Sequence, residues 1–348
     1  MKIITIVGAR PQFIKLAPLS KEIRKFHQEI IVHTGQHFDE EMSKTFFVDL
    51  NIPHPDYNLK VSGGNHGVQT GKMLNSIENV LINEKPDLAI VFGDTNSTLA
   101  GSLAAVKLGI KTIHVEAGLR SFNRSMPEEI NRVVADHTSD FLFAPTNTAI
   151  KNLESEGLSA KSYLTGDIMV ESLRYVNSIA ISNNYDPNNS ENYYLLTLHR
   201  PYNVDNPYKL EKIIKILNSL NMDIIFPVHP RTKKIIGENN ISLGSNIKLV
   251  NPLGYLDFIS LQSNAKKIIT DSGGVQKEAY ILQKPCITLR SETEWLETVE
   301  SGWNKLIDVD KDNKIAESIV EFSPPQQHPD LFGNEVSKKM LNIINNIN

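Results

Sequence analysis

The chain has 348 residues, of which 40% are hydrophobic and 22% charged, with a formal net charge of -4 and one cysteine, Cys286. Such a length suggests two domains, and the composition is that of a globular protein with large cores. The charge balance excludes a broad basic face for nucleic acid, and a single cysteine excludes an intrachain disulfide.

The opening MKIITIVGARPQ lacks the long apolar region and cleavage site of a signal peptide. No apolar run reaches the length of a bilayer span, so a cytoplasmic protein with no membrane partner is expected. KIITIV (2–7) reads as the first strand. It ends at Gly8-Ala9-Arg10, a turn into a helix where Pro11 suits the start and Lys15 follows. An arginine in such a turn can meet a phosphate or carboxylate, or it can simply lie on the surface. The turn has no G-x-G-x-x-G pattern and no G-x-x-x-x-G-K-[ST] loop, so neither a nicotinamide site nor a P-loop is supported.

EIIVHT (29–34) and LAIVFG (88–93) continue the strand pattern. Asp94 follows directly, either as an N-cap of the helix TLAGSLAAV or as a carboxylate aimed at a ligand. KTIHVE (111–116) ends on Glu116, a costly position for an unpaired buried carboxylate. Arg120, Arg124 and Arg132 surround it in sequence. Pro127-Glu128-Glu129 reads as a helix start, where acids suit the dipole. FLFAP (141–145) is the next strand. Then SNNYDPNNSEN (182–192), polar and rich in Asn, reads as a linker or exposed loop between two halves.

In the second half YLLTLH (194–199) ends on His199-Arg200, IIFPVH (224–229) ends on His229 with Arg231 beyond, and KKIIT (266–270) ends on Asp271. TDSGGVQKEA then turns into a helix, placing Ser272, Gly273 and Gly274 at its start and Glu278 one turn on. This pairing of strand-end His-Arg groups with a glycine turn suggests an anion pocket. The tail ends in the helix-like KKMLNIINNI. Scattered histidines and a lone cysteine give no metal spacing, and no G-x-S-x-G elbow is present.

Apolar strands alternating with helices imply an α/β fold with parallel sheets covered on both faces, and ligands at the carboxyl ends of the strands. A first half with Asp94, Glu116 and Glu128 and a second half with an anion pocket suggest proton transfer on a phosphate-bearing ligand lying in a cleft between them.

VGARPQFIKLAPL, HTGQHFD, GDTNSTLAG, HVEAGLRSFNRSMPEEINR, TLHRPYN and TDSGGVQKEA stand in the order and spacing of the non-hydrolysing UDP-N-acetylglucosamine 2-epimerases. The chain resembles that family from about residue 1 to residue 310. The resemblance implies a glycosyltransferase-B fold, with two Rossmann-like doubly wound domains facing a cleft. Residues 1–168 form the first domain with the catalytic carboxylates, and residues 169–330 the UDP-binding domain. Residues 331–348 form a helix expected to pack back on the first domain.

The resemblance also implies a reaction. UDP is eliminated to leave 2-acetamidoglucal and adds back after the C2 proton returns to the other face, which interconverts UDP-GlcNAc and UDP-ManNAc for surface polysaccharides. No cofactor and no metal are expected. The implied partners are a UDP-sugar and a second copy of the chain, as a homodimer. Asp94, Glu116 and Glu128 match the family's catalytic carboxylates, and His199 the histidine near the diphosphate. Arg10, Ser272, Gly273 and Gly274 match its phosphate contacts and Glu278 its ribose contact. Lys15 and Arg132 match further functional positions, and His229 joins the substrate-binding set.

Four residues in three motifs depart from the common pattern. Gln12 replaces a glutamate, Tyr202 replaces the glutamate of His-Arg-x-Glu-Asn, and Phe38-Asp39 replace Arg-Glu. The last two changes lie near a second, activating UDP-GlcNAc site of some members, so hyperbolic kinetics are expected here. SFNRSMPEE, VQKEA and TEWLETVESG resemble a subgroup that includes UDP-2,3-diacetamido-glucuronic acid epimerases. For that substrate Arg120 or Arg124 could meet the C6 carboxylate. A glycosyltransferase of the same fold, a hydrolysing epimerase and a non-catalytic nucleotide-sugar sensor are the other readings.

Overall fold

The computed structural model describes residues 1–36, 52–182 and 192–347. Their contacts group into two units, Met1–Ser172 with Phe332–Asn348, and Leu173–Leu331.

In the first unit the strands are β1 (Lys2–Val7), β2 (Gln28–His33), β3 (Tyr57–Asn58), β4 (Leu88–Phe92), β5 (Lys111–Val115), β6 (Phe141–Ala144) and β7 (Ser162–Leu164). They pair in parallel in the order β3-β2-β1-β4-β5-β6-β7. The helices are α1 (Arg10–Ile23), α2 (His66–Glu84), α3 (Asn96–Lys107), α4 (Pro127–Thr138), α5 (Asn147–Ser155) and α6 (Met169–Ser182). Side chains of β1, β2, β4, β5 and β6 are buried on both faces, because helices cover both. Ile4, Ile6, Val32, Ala89 and Val91 pack against Met73, Ile77, Ala100 and Ala104 from α2 and α3. The boundary between the units falls inside α6, whereas the polar stretch 183–191 lies outside the described residues.

Pro18 sits inside α1, where it can donate no hydrogen bond to the carbonyl of Ile14. The Ser172 hydroxyl donates to that carbonyl instead, at 2.5 Å. After the second unit the chain returns to the first with Phe332.

The second unit has β8 (Tyr193–Thr197), β9 (Asp223–Pro227), β10 (Ile247–Val250), β11 (Lys267–Thr270), β12 (Cys286–Thr288) and β13 (Asn304–Leu306). They are parallel in the order β10-β9-β8-β11-β12-β13. Its helices are α7 (Pro201–Val204), α8 (Pro207–Asn218), α9 (Pro230–Glu238), α10 (Tyr255–Asn264), α11 (Gly273–Ile281), α12 (Leu296–Glu300) and α13 (Ile315–Glu321). Leu196, Ile224, Phe226, Ile269 and Ile287 from the sheet pack on Leu210, Ile213 and Leu217 of α8. The last helix, α14 (Val336–Asn345), belongs to the first unit and packs on α1.

The strand order reverses once in each sheet, at β1/β4 and at β8/β11. A doubly wound sheet opens a crevice at the carboxyl ends of the strands at that point. Asp94 and Arg10 follow β4 and β1, and His199 and Ser272 follow β8 and β11. No helix among the described residues is long and apolar enough to cross a membrane.

Candidate functional site

Gln12 ties together the loops after β1 and β4. Its Oε1 accepts from the amides of Gly8 at 2.7 Å and Ala9 at 3.0 Å. Its Nε2 donates to the Phe92 carbonyl at 2.8 Å and to the hydroxyls of Thr95 and Thr98 at 3.0 and 3.1 Å. An amide can accept at one end and donate at the other, and an ionised glutamate could not make the bond to Phe92. A Cβ on Gly8 would overlap the hydroxyls of Thr34 and Ser97, so only glycine lets the two loops approach this closely.

Asp94 is not the cap of α3. Thr95 takes that position, and its hydroxyl accepts from the Thr98 amide at 3.3 Å. With capping done by Thr95, the half-buried carboxylate of Asp94 is left to pair with Arg132 of α4. Asn131 donates to the Asp94 carbonyl at 2.9 Å and fixes the backbone as well.

Glu116 follows β5 with φ +71°, a conformation that costs a non-glycine residue energy and marks functional positions. The carboxylate pairs with the buried Lys15 of α1. Lys15 and Glu116 both lie against Gly93, the residue before Asp94. Glu128, at the start of α4, is exposed. Its neighbour Glu129 turns inward and accepts from the Ser121 amide and hydroxyl and the Phe122 amide, each at 2.9 Å, and from Arg132 at 2.9 Å. Burial alone would raise the Glu129 pKa, but these donors hold it below its ordinary value. Arg10 opens α1, and its side chain lies outside the described part of the structure, as do Phe38 and Asp39.

Arg120 is buried and held by carboxylates of its own unit, at 2.7 Å from Asp136 and at 2.7 and 2.8 Å from Glu156. It pairs with neither Glu116 nor Glu128, and it is not available to a sugar carboxylate. Arg124 is exposed.

In the second unit the buried Asp271 organises the switch point. Its carboxylate accepts from the backbone amides of His199 and Arg200 at 3.1 and 3.0 Å and from Asn203 at 3.2 Å. The half-exposed His199 ring also lies 3.4 Å from it. Loss of hydration, with Arg200 and His229 adding to it, holds the His199 imidazole below its ordinary pKa against the pull of Asp271. His229 caps α9, accepting from the Arg231 amide at 3.2 Å, which gives it a structural task. Tyr202 stands in α7 and is half exposed.

Ser272 occupies the cap position of α11, yet its hydroxyl makes no capping bond. Gly274 is exposed beside it. A Cβ on Gly273 would overlap the carboxylate of Glu294, which also pairs with Arg290 at 2.9 Å. A carboxylate thus stands against this helix start, where the dipole favours negative charge. Glu278 is buried between Tyr255 and Gln262, which donate to it at 3.2 and 2.7 Å. Burial raises its pKa despite these donors and Lys277. Gln262 Oε1 and Arg200 Nε are buried without a partner in the structure, as ligand-binding groups can be before the ligand arrives.

Glu129, Asp136, Glu294 and Gln262 did not stand out in the sequence. One signal was present: Glu129, Arg132 and Asp136 are spaced i, i+3, i+7, so α4 turns a charged stripe inward.

The model of the family described as UDP-N-acetylglucosamine 2-epimerase matches residues 21–344. The chain is 55% identical over 336 residues to a UDP-N-acetylglucosamine 2-epimerase homolog of Methanococcus maripaludis, covering 94% of each chain. It is 48% identical over 320 residues to the UDP-2,3-diacetamido-2,3-dideoxy-D-glucuronate 2-epimerase of Pseudomonas aeruginosa, covering 90% of each. Among solved structures it resembles the Methanocaldococcus jannaschii UDP-GlcNAc 2-epimerase in complex with UDP-GlcNAc and UDP. There the TM-score is 0.87, with 46% identity over 99% of both chains.

Proposed function

The chain belongs to the UDP-N-acetylglucosamine 2-epimerase family, and from that premise we propose that it interconverts UDP-GlcNAc and UDP-ManNAc. The observation that carries this reading is the pair of strand-end carboxylates, Asp94 and Glu116, each set by a cation, Arg132 or Lys15.

Inversion at C2 requires a proton to leave one face and return to the other. The C2–H is weakly acidic, so the C1–O bond to UDP breaks as the proton departs, giving a C1=C2 double bond and free UDP. Return of a proton to the opposite face and re-addition of the UDP oxygen to C1 complete the exchange, with no net redox change. We assign the proton transfers to Asp94, Glu116 and the exposed Glu128. His199 is assigned to the diphosphate, where positive or hydrogen-bonding groups lower the cost of the leaving charge. Arg10, His229, Ser272, Gly273 and Gly274 are the proposed phosphate contacts, Glu278 the ribose contact, and Lys15 and Arg132 hold the carboxylates in place. Such an enzyme would work in the cytoplasm as a homodimer and feed the assembly of surface polysaccharide.

The second reading is a UDP-2,3-diacetamido-glucuronate substrate, favoured by the 48% identity to the Pseudomonas enzyme. The commitment of Arg120 to Asp136 and Glu156 weighs against it, because a uronate needs a cation at C6 and only the exposed Arg124 remains in that stretch.

Proton NMR of UDP-GlcNAc with the protein in heavy water tests the proposal. Deuterium at C2 and a manno product still bearing UDP are expected. Accumulation of free UDP and free sugar would identify a hydrolase. Exchange only with the diacetamido uronate would establish the second reading, and exchange with neither would leave a sensor.

A further inference from the structure

His114 lies on β5, fully buried, between the two loops that carry Asp94 and Glu116. Its Nε2 is 2.6 Å from the carbonyl oxygen of Gly93, and its Nδ1 is 2.6 Å from Oδ1 of Asp136 on α4. A carbonyl oxygen can only accept, so Nε2 carries a proton. The other nitrogen would lack one only if Asp136 were protonated and donated to it. Asp136, however, has a second commitment: its Oδ2 accepts from the Gly118 amide at 3.0 Å and from Arg120 Nη1 at 2.7 Å. Burial opposes ionisation of Asp136, but Arg120 and the Gly118 amide favour the ionised carboxylate whatever the state of His114. Both ring nitrogens of His114 therefore donate.

Other charged groups surround the pair. Arg120 also holds Glu156, which His137 approaches at 3.1 Å from the other side. Lys161 donates to the backbone carbonyls of Asp136, His137 and Ser139 at 2.9, 3.1 and 2.6 Å. With Asp136 ionised, a neutral His114 would set the lone pair of Nδ1 against a carboxylate oxygen at 2.6 Å, which is costly.

We propose that His114 is a positioning residue that donates from both ring nitrogens, clamping the Gly93 carbonyl and, through Asp136, the Gly118 amide. Gly93, Glu116 and Gly118 have φ of +61°, +71° and +82°, so the clamp holds the left-handed backbone beside both carboxylates, of which only Glu116 is costly for its residue type. The effect on turnover rests on the epimerase reading, whereas the charge on the ring does not.

The experiment has two arms. Nitrogen-15 NMR of the histidine-labelled wild-type protein at pH 8 reads the ring directly, well above the free histidine pKa of about 6.5. Both His114 nitrogens should be protonated, and a nitrogen without a proton overturns the proposal. Kinetics of Asp136→Asn and His114→Gln should show kcat lowered on the order of tenfold to a hundredfold, the scale of a small misplacement of catalytic groups, with KM nearly unchanged. Folded variants with wild-type kcat would also overturn it. If the variants fail to fold, the NMR arm decides alone. A wild-type protein that epimerises no UDP-hexosamine would refute the proposed function without touching the NMR result.

Discussion

Asp94 and Glu116 reach the same end by different local means. Asp94 is spared from capping by Thr95 and held by Arg132, while Glu116 is set by a left-handed backbone and held by Lys15. Asp94→Asn, Glu116→Gln and Glu128→Gln should each lower turnover by about a hundredfold or more, the scale of a lost acid–base group. Calorimetry should find UDP affinity little changed, because none of these three is a proposed UDP contact, and all but one of those, Arg10, lie on the second unit. Wild-type turnover in all three would remove the catalytic assignment.

Glu278 makes the opposite case, a residue whose charge harms the fold and serves the ligand. Its folded pKa is raised by burial. Such a carboxylate contributes stability that is complete below its unfolded pKa and is lost as pH rises through the folded one. The ionised form is therefore a burden to the fold. Glu278→Gln should melt at or above the wild-type temperature at pH 7 and yet bind UDP more weakly. In the wild type, UDP affinity should fall as pH drops through the raised pKa, since a protonated carboxyl is a poorer acceptor for ribose hydroxyls. A variant that melts well below wild type while binding UDP normally would assign Glu278 to the fold alone.

The strands with long apolar runs, β1, β2, β4, β5, β6, β8, β9 and β11, were legible because burial on both faces writes itself as continuous hydrophobic sequence. β3, β7, β10, β12 and β13 span two to four residues each, too few to show any period. The residues at strand ends were legible for a topological reason, since a parallel sheet gathers its ligands there. What escaped notice was the support beneath them: Asp136, Glu129 and Gln262 act through partners distant in sequence. Asp94 shows the limit within one turn, because an Asp and a Thr beside each other can both cap, and only the fold chooses. That choice has a measurable consequence. Thr95→Ala removes the oxygen that accepts from the Thr98 amide and one partner of Gln12. It should cost about 1 kcal/mol, as lost N-caps do, read from the midpoint of denaturant unfolding. An unchanged midpoint would mean that Asp94 moves in to cap α3, and turnover should then fall as well.

At the scale of the whole chain, the first unit is not finished until the second has been made. Residues 332–348 return to it after 159 residues of the other unit, Leu173–Leu331. The return is pinned at its start, where the Asp167 amide donates to the Phe332 carbonyl at 2.8 Å. Further on, the Ser337 amide and hydroxyl both donate to Glu171, at 2.9 and 2.5 Å. Near its end the His27 ring meets Asn345 at 2.7 Å. Between these points Phe332, Val336, Met340, Leu341 and Ile344 are at most 5% exposed. At about 1.5–3 kcal/mol for each such side chain, their burial stabilises the first unit by roughly 10 kcal/mol. That is comparable with the entire stability of an ordinary domain, about 5–15 kcal/mol. A chain ending at Leu331 should therefore lose the cooperative melting of the first unit, and with it all turnover. The second unit keeps its own sheet and core, so it should still melt as a unit and bind UDP on its own Ser272–Glu278 segment. Differential scanning calorimetry with and without UDP separates these outcomes. A truncated chain that keeps the wild-type transition, or one whose UDP binding disappears with the tail, would show that the division of labour between the units is wrongly drawn.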